Sequence, residues 1–362
     1  MDTSPQTERF VKSPQEIRKE EAARKQRNRT LWIMLGLYVV FVGFWLLAPT
    51  WRTLPTASPD HPYFRCPCPQ VFAHQGASAY APSNTLAAFR LAVKMGADIL
   101  ETDVHATEDE VLVLSHDKTV GRMTNGSGRI KDKTWKELQT LDAGYTFTRD
   151  GGKTFPFRGK GVRIPSLEQA LKAFPTMRFN LEIKDGKAKW LPQLSLLLQR
   201  LKAENRVLIA CTSDSVLQRW RRLNPRVPTS GGSLESLRFS LSAWVRPDAH
   251  YVASFNALQV PWKLPSMNSL VKMAKKSRLK LHVWTVNDAR VMKRMFKAGV
   301  HGVITDKPDV ALALLKKLGI RKAERKKGGA QTTKAAFTTK AGKLFPSTTK
   351  PALRGKSKVK VP

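Results

Sequence analysis

Ile99-Leu100-Glu101-Thr102-Asp103-Val104 is the stretch on which the fold turns. Successive side chains of a strand point to opposite faces, so Glu101 and Asp103 share one face while Leu100, Thr102 and Val104 share the other. If the apolar set packs under helices, the charged pair points into whatever the strands enclose. Three more islands of charge close apolar runs in the same way: His74-Gln75-Gly76 after Val71-Phe72-Ala73, His116-Asp117 after Val111 to Leu114, and Glu182-Ile183-Lys184 after Phe179 to Leu181. By the same parity Glu182 and Lys184 point together. Carboxylates buried side by side would cost many kcal/mol unless a cation neutralised them. A hard divalent cation takes oxygen ligands, and Glu101, Asp103 and Glu182 are the donors at hand.

Outward from these islands, short apolar runs alternate with amphipathic stretches from Gln70 to about Leu318, the pattern of a parallel α/β domain. Strands are expected at Val71–Ala73, Ile99–Val104, Val111–Ser115, Arg178–Ile183, Val207–Cys211, Val227–Thr229, Tyr251–Ala253, Leu279–Thr285 and Gly302–Thr305. That count fits an eight-stranded barrel with one extra strand or hairpin. A glycine-rich insertion at about 117–163 interrupts the alternation. On the catalytic side of a barrel such an excursion serves as a lid or binding loop.

The ends of the chain differ from its middle. Of 362 residues, 63 are Lys or Arg and 28 Asp or Glu, a formal charge of +35 that favours phosphate-rich or other anionic partners. Residues 1–30 form a basic arm, and 31–49 form an uncharged run that predicts a single transmembrane helix. The basic residues ahead of it place the N-terminus in the cytoplasm and the catalytic domain outside it, by the positive-inside rule. A cleaved signal peptide is the rival expectation. Residues 50–69 are a proline-rich linker, and 319–362 a basic tail with too little apolar surface to fold alone. The tail suits an anionic lipid or cell-wall surface. With only Phe337 and Phe345 as aromatics it does not favour nucleic acid. The three cysteines, Cys66, Cys68 and Cys211, carry no functional reading.

Ala73-His74-Gln75-Gly76, Ala81-Pro82-Ser83-Asn84-Thr85-Leu86, Glu101-Thr102-Asp103-Val104, Ser115-His116-Asp117, Glu182-Ile183-Lys184, Val283-Trp284-Thr285-Val286-Asn287 and Gly302-Val303-Ile304-Thr305-Asp306-Lys307-Pro308 together resemble, in order and spacing, the glycerophosphodiester phosphodiesterases. The resemblance runs from Val71 to about Leu315. It implies a TIM (β/α)8 barrel, with the small insertion after its second strand, that hydrolyses glycerophosphodiesters to an alcohol and glycerol phosphate with one Mg2+ or Ca2+. It implies that Glu101, Asp103 and Glu182 bind the metal, that His74 and His116 are the acid and base pair, and that Lys184 holds a phosphate oxygen. Trp284 would line the pocket, although an inward tryptophan also fills barrel cores.

The chemistry asks for these residue types. Cationic groups offset charge on the phosphoryl oxygens, and imidazoles both give and take protons near neutrality. Two positions depart from the family pattern. Gln75 stands where Arg is usual, which replaces a bidentate cationic phosphate contact at a loss of about 1 to 3 kcal/mol. Ser83 replaces an acidic residue. Lysophospholipase D activity on lysophospholipids and a non-catalytic phosphodiester-binding barrel are the alternatives. An apolar groove lined by the insertion would mark the first. Asp306 and Lys307 are explained by a turn with Pro308 at a helix start.

Overall fold

The computed structural model describes residues 13–47, 56–65 and 68–321. Its elements run α1 (Pro14–Leu47), β1 (Gln70–Ala73), α2 (Leu86–Met95), β2 (Ile99–Ala106), β3 (Leu112–Leu114), α3 (Trp135–Leu138), α4 (Leu167–Ala173), β4 (Arg178–Ile183), α5 (Leu191–Arg200), β5 (Val207–Ala210), α6 (Asp214–Leu223), α7 (Ser233–Val245), β6 (Ala257–Pro261), α8 (Met267–Lys276), β7 (Lys280–Trp284), α9 (Ala289–Ala298), β8 (Gly302–Thr305) and α10 (Pro308–Lys317). Helix boundaries follow local chemistry. The side chains of Thr85, Ser166, Ser213 and Asp288 accept the first free amides of α2, α4, α6 and α9. Gly96 and Gly299 end α2 and α9 in the left-handed conformation.

The strands form a parallel sheet in the order β5-β4-β2-β1-β8-β7-β6, and β3 lies antiparallel on β2. Between β5 and β6, Thr229 bridges to Ile209 and Ser230 to Ala257, both in parallel, which brings the two edges together as an α/β barrel. The expected strand Val227–Thr229 is reduced to these bridges because Pro228 has no N–H to give a ladder. Its carbonyl still accepts from Ile209 N at 3.0 Å. Tyr251–Ala253 is not a strand; the pairing segment is β6, a few residues later.

The parity of β2 is realised. Leu100 and Val104 are buried in the layer beneath the helices, with Phe89, Leu181 and Ile183. Ile99, on the opposite face, joins Tyr63, Phe64, Phe72, Leu208 and Ile304 inside the barrel. Each such side chain contributes about 1.5–3 kcal/mol on burial. The interior is therefore apolar at the N-terminal ends of the strands and charged at their C-terminal ends, where Glu101 and Asp103 follow Ile99 on the same face.

The expectation of a membrane anchor is corrected. Among the described residues, no helix is long and apolar enough to cross a membrane. The apolar run is the end of a longer helix whose first half is charged. Over its described part, Leu31 to Leu47, that run extends about 25 Å at 1.5 Å per residue, against a hydrocarbon core of about 30 Å. The single-pass helix at 31–49, the cytoplasmic N-terminus and the extracytoplasmic catalytic domain built on it are withdrawn, and the membrane as a partner is left without support. Residues 50–55 and 66–67 of the expected linker, and the basic tail beyond Arg321, lie outside the described residues.

Candidate active site

Strand register assembles the acidic floor. Glu101 lies beside Asn180 and Asp103 beside Glu182 in the β2–β4 ladder, so two neighbouring strands present their carboxylates to one point. Oxygens of Glu101, Asp103 and Glu182 all lie within 4.8 Å of one another. Glu101 and Asp103 are buried, and Glu182 is partly open. Burial first, and the charge of Asp103 next, push the Glu101 carboxyl up to about 8. Asp103 Oδ1 is buried without a well-directed hydrogen bond, although Lys184 Nζ lies 3.1 Å away. A donor set of three carboxylate oxygens crowded within 4.8 Å of one another fits a hard divalent cation.

The floor is fixed from behind by two residues in the left-handed region, Gln75 (φ 54°) and Asn84 (φ 56°). Gln75 N donates to Glu101 Oε2 at 2.9 Å. Asn84 donates from Nδ2 to Asp103 Oδ2 at 2.9 Å, and its Oδ1 accepts from Thr102 Oγ1 at 2.6 Å. Asn84 N in turn donates to the Gln75 carbonyl at 2.9 Å, so one turn holds both carboxylates. Gly76 (φ 85°) completes it, because a Cβ there would come within 2.7 Å of Ala88 Cβ on α2. The Gln75 side chain is buried, and its Nε2 lies 3.4 Å from His74 Nε2.

Lys184 Nζ bridges Glu182 Oε1 at 2.8 Å and Asp103. Burial would lower its pKa, but the charges of Asp103 and Glu182 prevail and raise it. His74, at the end of β1, points Nδ1 at Asp306 Oδ1, 2.6 Å away. Burial alone would make this imidazole less basic. The Asp306 hydrogen bond, with the charges of Glu101, Asp306 and Asp103, prevails and pushes it up to about 9. His116 is more open, and its Nδ1 lies 2.8 Å from Asp117 Oδ1, a carboxylate also bound by the Arg122 guanidinium. The Arg122 hydrogen bond holds the Asp117 carboxyl below its usual range.

These groups face a cleft of about 620 Å³ that is lined by His74, Glu101, His116, Glu182, Lys184 and Trp284 among others. Trp284 is 43% exposed, so it stands at the cleft mouth and does not fill the core. His282, two residues earlier, is the one packed inside, against Phe72 at 4.5 Å between ring centres. Gln75 is not among the lining residues, and its amide faces His74. The insertion does not form the cleft wall either. Apart from His116 just before it, that wall comes from Gly231 to Ser240 around the start of α7, and from Val260, Pro261 and Leu264. The insertion folds instead around its own small core of Val120, Ile130, Leu138, Ala143 and Ile164.

Asp306 and Asn84 escaped the sequence reading. Asp306 closes the apolar run Val303-Ile304-Thr305 just as the four islands close theirs. That signal was present, but the following Pro308 supplied a sufficient explanation.

Residues 74–310 match the glycerophosphoryl diester phosphodiesterase family. The chain is 36% identical to the glycerophosphodiester phosphodiesterase of Caldanaerobacter subterraneus subsp. tengcongensis over 69% of its own length and 98% of that protein. It is 25% identical to a human lysophospholipase D over 65% of itself and 82% of that protein. Its fold is shared with an Oleispira antarctica phosphodiesterase, solved with the product sn-glycerol-3-phosphate, at a TM-score of 0.57 and 23% identity, covering 69% of this chain and 97% of that one. The chain belongs to the glycerophosphoryl diester phosphodiesterase family. It is accordingly a phosphodiester hydrolase, and the non-catalytic binding barrel is set aside.

Proposed function

We propose that this enzyme hydrolyses glycerophosphodiesters to glycerol phosphate and an alcohol at the mouth of the barrel, with one divalent cation held by Glu101, Asp103 and Glu182. The observation that carries this reading is the convergence of those three carboxylates on one point beside His74 and Lys184. The cation, Mg2+ or Ca2+, would supply Lewis-acid stabilisation of charge on the phosphoryl oxygens. Lys184 adds a second positive group at the same oxygens. His74 and His116 flank the cleft and exchange protons with the attacking and departing oxygens. Trp284 packs on the leaving alcohol. Gln75 acts through its backbone on Glu101 and through its amide on His74, in place of a charged phosphate contact.

Purified protein given glycerophosphocholine with Mg2+ or Ca2+ tests the reading by release of choline and glycerol phosphate. No release with any divalent cation would overturn it for this substrate. Lysophospholipase D activity is the second reading, and the cleft wall favours it. Leu237, Pro261, Leu264 and Trp284 give that wall apolar surface, with Leu237 48% exposed beside the charged floor. Lysophosphatidylcholine in the same assay separates the two substrates.

A further inference from the structure

The hydrogen bonds around Asp306 are more numerous than a helix-start turn requires, and they join three strand ends. Its Oδ1 lies 2.6 Å from His74 Nδ1 and 2.8 Å from Ser78 Oγ, and that hydroxyl also reaches the His74 carbonyl at 2.7 Å. Its Oδ2 accepts from Asn287 Nδ2. Asn287 Oδ1 in turn accepts from Asp306 N at 2.9 Å and Thr305 Oγ1 at 3.0 Å. The Asp306–Asn287 pair is thus reciprocal, and every hydrogen bond to the carboxylate has one permissible direction.

An ionised carboxylate only accepts, so His74 must carry its proton on Nδ1. The other ring nitrogen, Nε2, is then left for the cleft, with the Gln75 amide 3.4 Å away as its resting neighbour. We propose that Asp306, locked by Asn287 and Ser78, is the positioning residue that fixes the tautomer and ring plane of His74 so that Nε2 is the atom exchanging a proton with substrate. Asp306 does not line the cleft; it acts through His74. Ser78 and Asn287 keep its carboxylate from turning toward the acidic floor or solvent. The proposal rests on the phosphodiesterase reading for its kinetic consequence and on the hydrogen bonds alone for the tautomer.

The decisive substitution is Asp306→Asn. It sets an amide NH2 against either Asn287 Nδ2 or His74 Nδ1, donor against donor in both orientations. Adding Asn287→Asp restores complementarity, because the new carboxylate accepts from that amide and still accepts from the backbone N–H at position 306. The single variant should lower kcat by about 100-fold or more while KM and the half-saturating Mg2+ concentration stay within about twofold, and the exchanged pair should recover at least about tenfold of that loss. Nitrogen-15 NMR of the imidazoles, needing no substrate and recorded above about pH 9, where the ring is neutral, should show His74 protonated at Nδ1 alone in the wild type and the tautomers mixed in Asp306→Asn. An unchanged kcat, a kcat loss that the exchange does not recover, or a His74 without an Nδ1 proton would each overturn the proposal. A wild type that turns over neither glycerophosphocholine nor lysophosphatidylcholine overturns the functional reading only, and the NMR spectrum then decides the tautomer by itself.

Discussion

The two histidines of the cleft stand in opposite surroundings. His74 sits on the inner floor, where strand ends, a left-handed turn and a reciprocal Asp306–Asn287 pair fix each atom; its side chain is 25% exposed. His116 sits on the rim, 45% exposed, beside a carboxylate whose charge is already met by Arg122. The floor gains its geometry from the sheet itself, since Asp103 and Glu182 are register partners. The rim gains its geometry from a loop that packs mainly on its own small core. Charges in a dry, fixed setting interact far more strongly than the same charges in water, so perturbations should scale with depth.

The largest effect is expected at the bottom. Glu101→Gln removes one of three converging carboxylates while keeping an oxygen for Gln75 N, and kcat should fall by about a thousandfold or more, with a weaker divalent-cation affinity. A variant that keeps a tenth of wild-type activity would break the assignment of the floor. His74→Ala and His116→Ala should each cost about 10²- to 10⁴-fold in kcat if both move protons. Equal losses would show that the rim histidine works as hard as the buried one despite its weaker support.

Next is the far wall of the cleft. Arg221 of α6 is almost fully buried and pairs with Glu235 of α7 at 2.6 Å and 2.9 Å. It also donates to Thr229 Oγ1 at 2.9 Å and to the Ser230 carbonyl at 2.9 Å, which ties down the turn that closes the barrel and lines the cleft. Arg221→Leu leaves Glu235 without its partner and should destabilise the fold by about 3–5 kcal/mol in urea denaturation. A loss under about 1 kcal/mol would show that the wall holds by packing alone.

Much of the floor was legible in the sequence because parity and register are local rules. Two carboxylates at i and i+2 of an apolar run can share only one face, and the neighbouring strand repeats that pattern at Glu182 and Lys184. The Tyr251 region was misread because an apolar triplet with no partner strand nearby looks the same as one that pairs. The turn at Asp306 was legible from Pro308, but its contact with His74 was not, because that depends on which other strand ends surround it and His74 lies 232 positions away. The apolar run at 31–49 predicted a membrane span from composition, whereas no helix among the described residues is long and apolar enough to cross a membrane.

Smaller, and opposite in sign between the two regions, is the response of stability to pH in the cation-free protein. His74 is pushed up to about 9 and Glu101 up to about 8, both above their unfolded values, so both hold their protons more tightly when folded. Their contribution is complete below the unfolded values, about 4.3 for Glu and about 6.5 for His, and is lost as pH rises through about 8 to 9. On the rim, Asp117 is held below its usual range by Arg122, so its contribution is present above the unfolded value and is lost as pH falls. Thermal melts should therefore decline from pH 5 to pH 9 by an amount on the order of 2 kcal/mol, and saturating Mg2+ or Ca2+ should flatten that decline by taking the place of the proton. Glu101→Gln should reduce it without cation and leave the part that His74 draws from Asp306, while Asp117→Asn should leave the alkaline limb unchanged and alter only the acid one. A decline that persists in Glu101→Gln at full size would move its origin away from the carboxylate floor. The contrast between the two regions would then rest on geometry and not on charge.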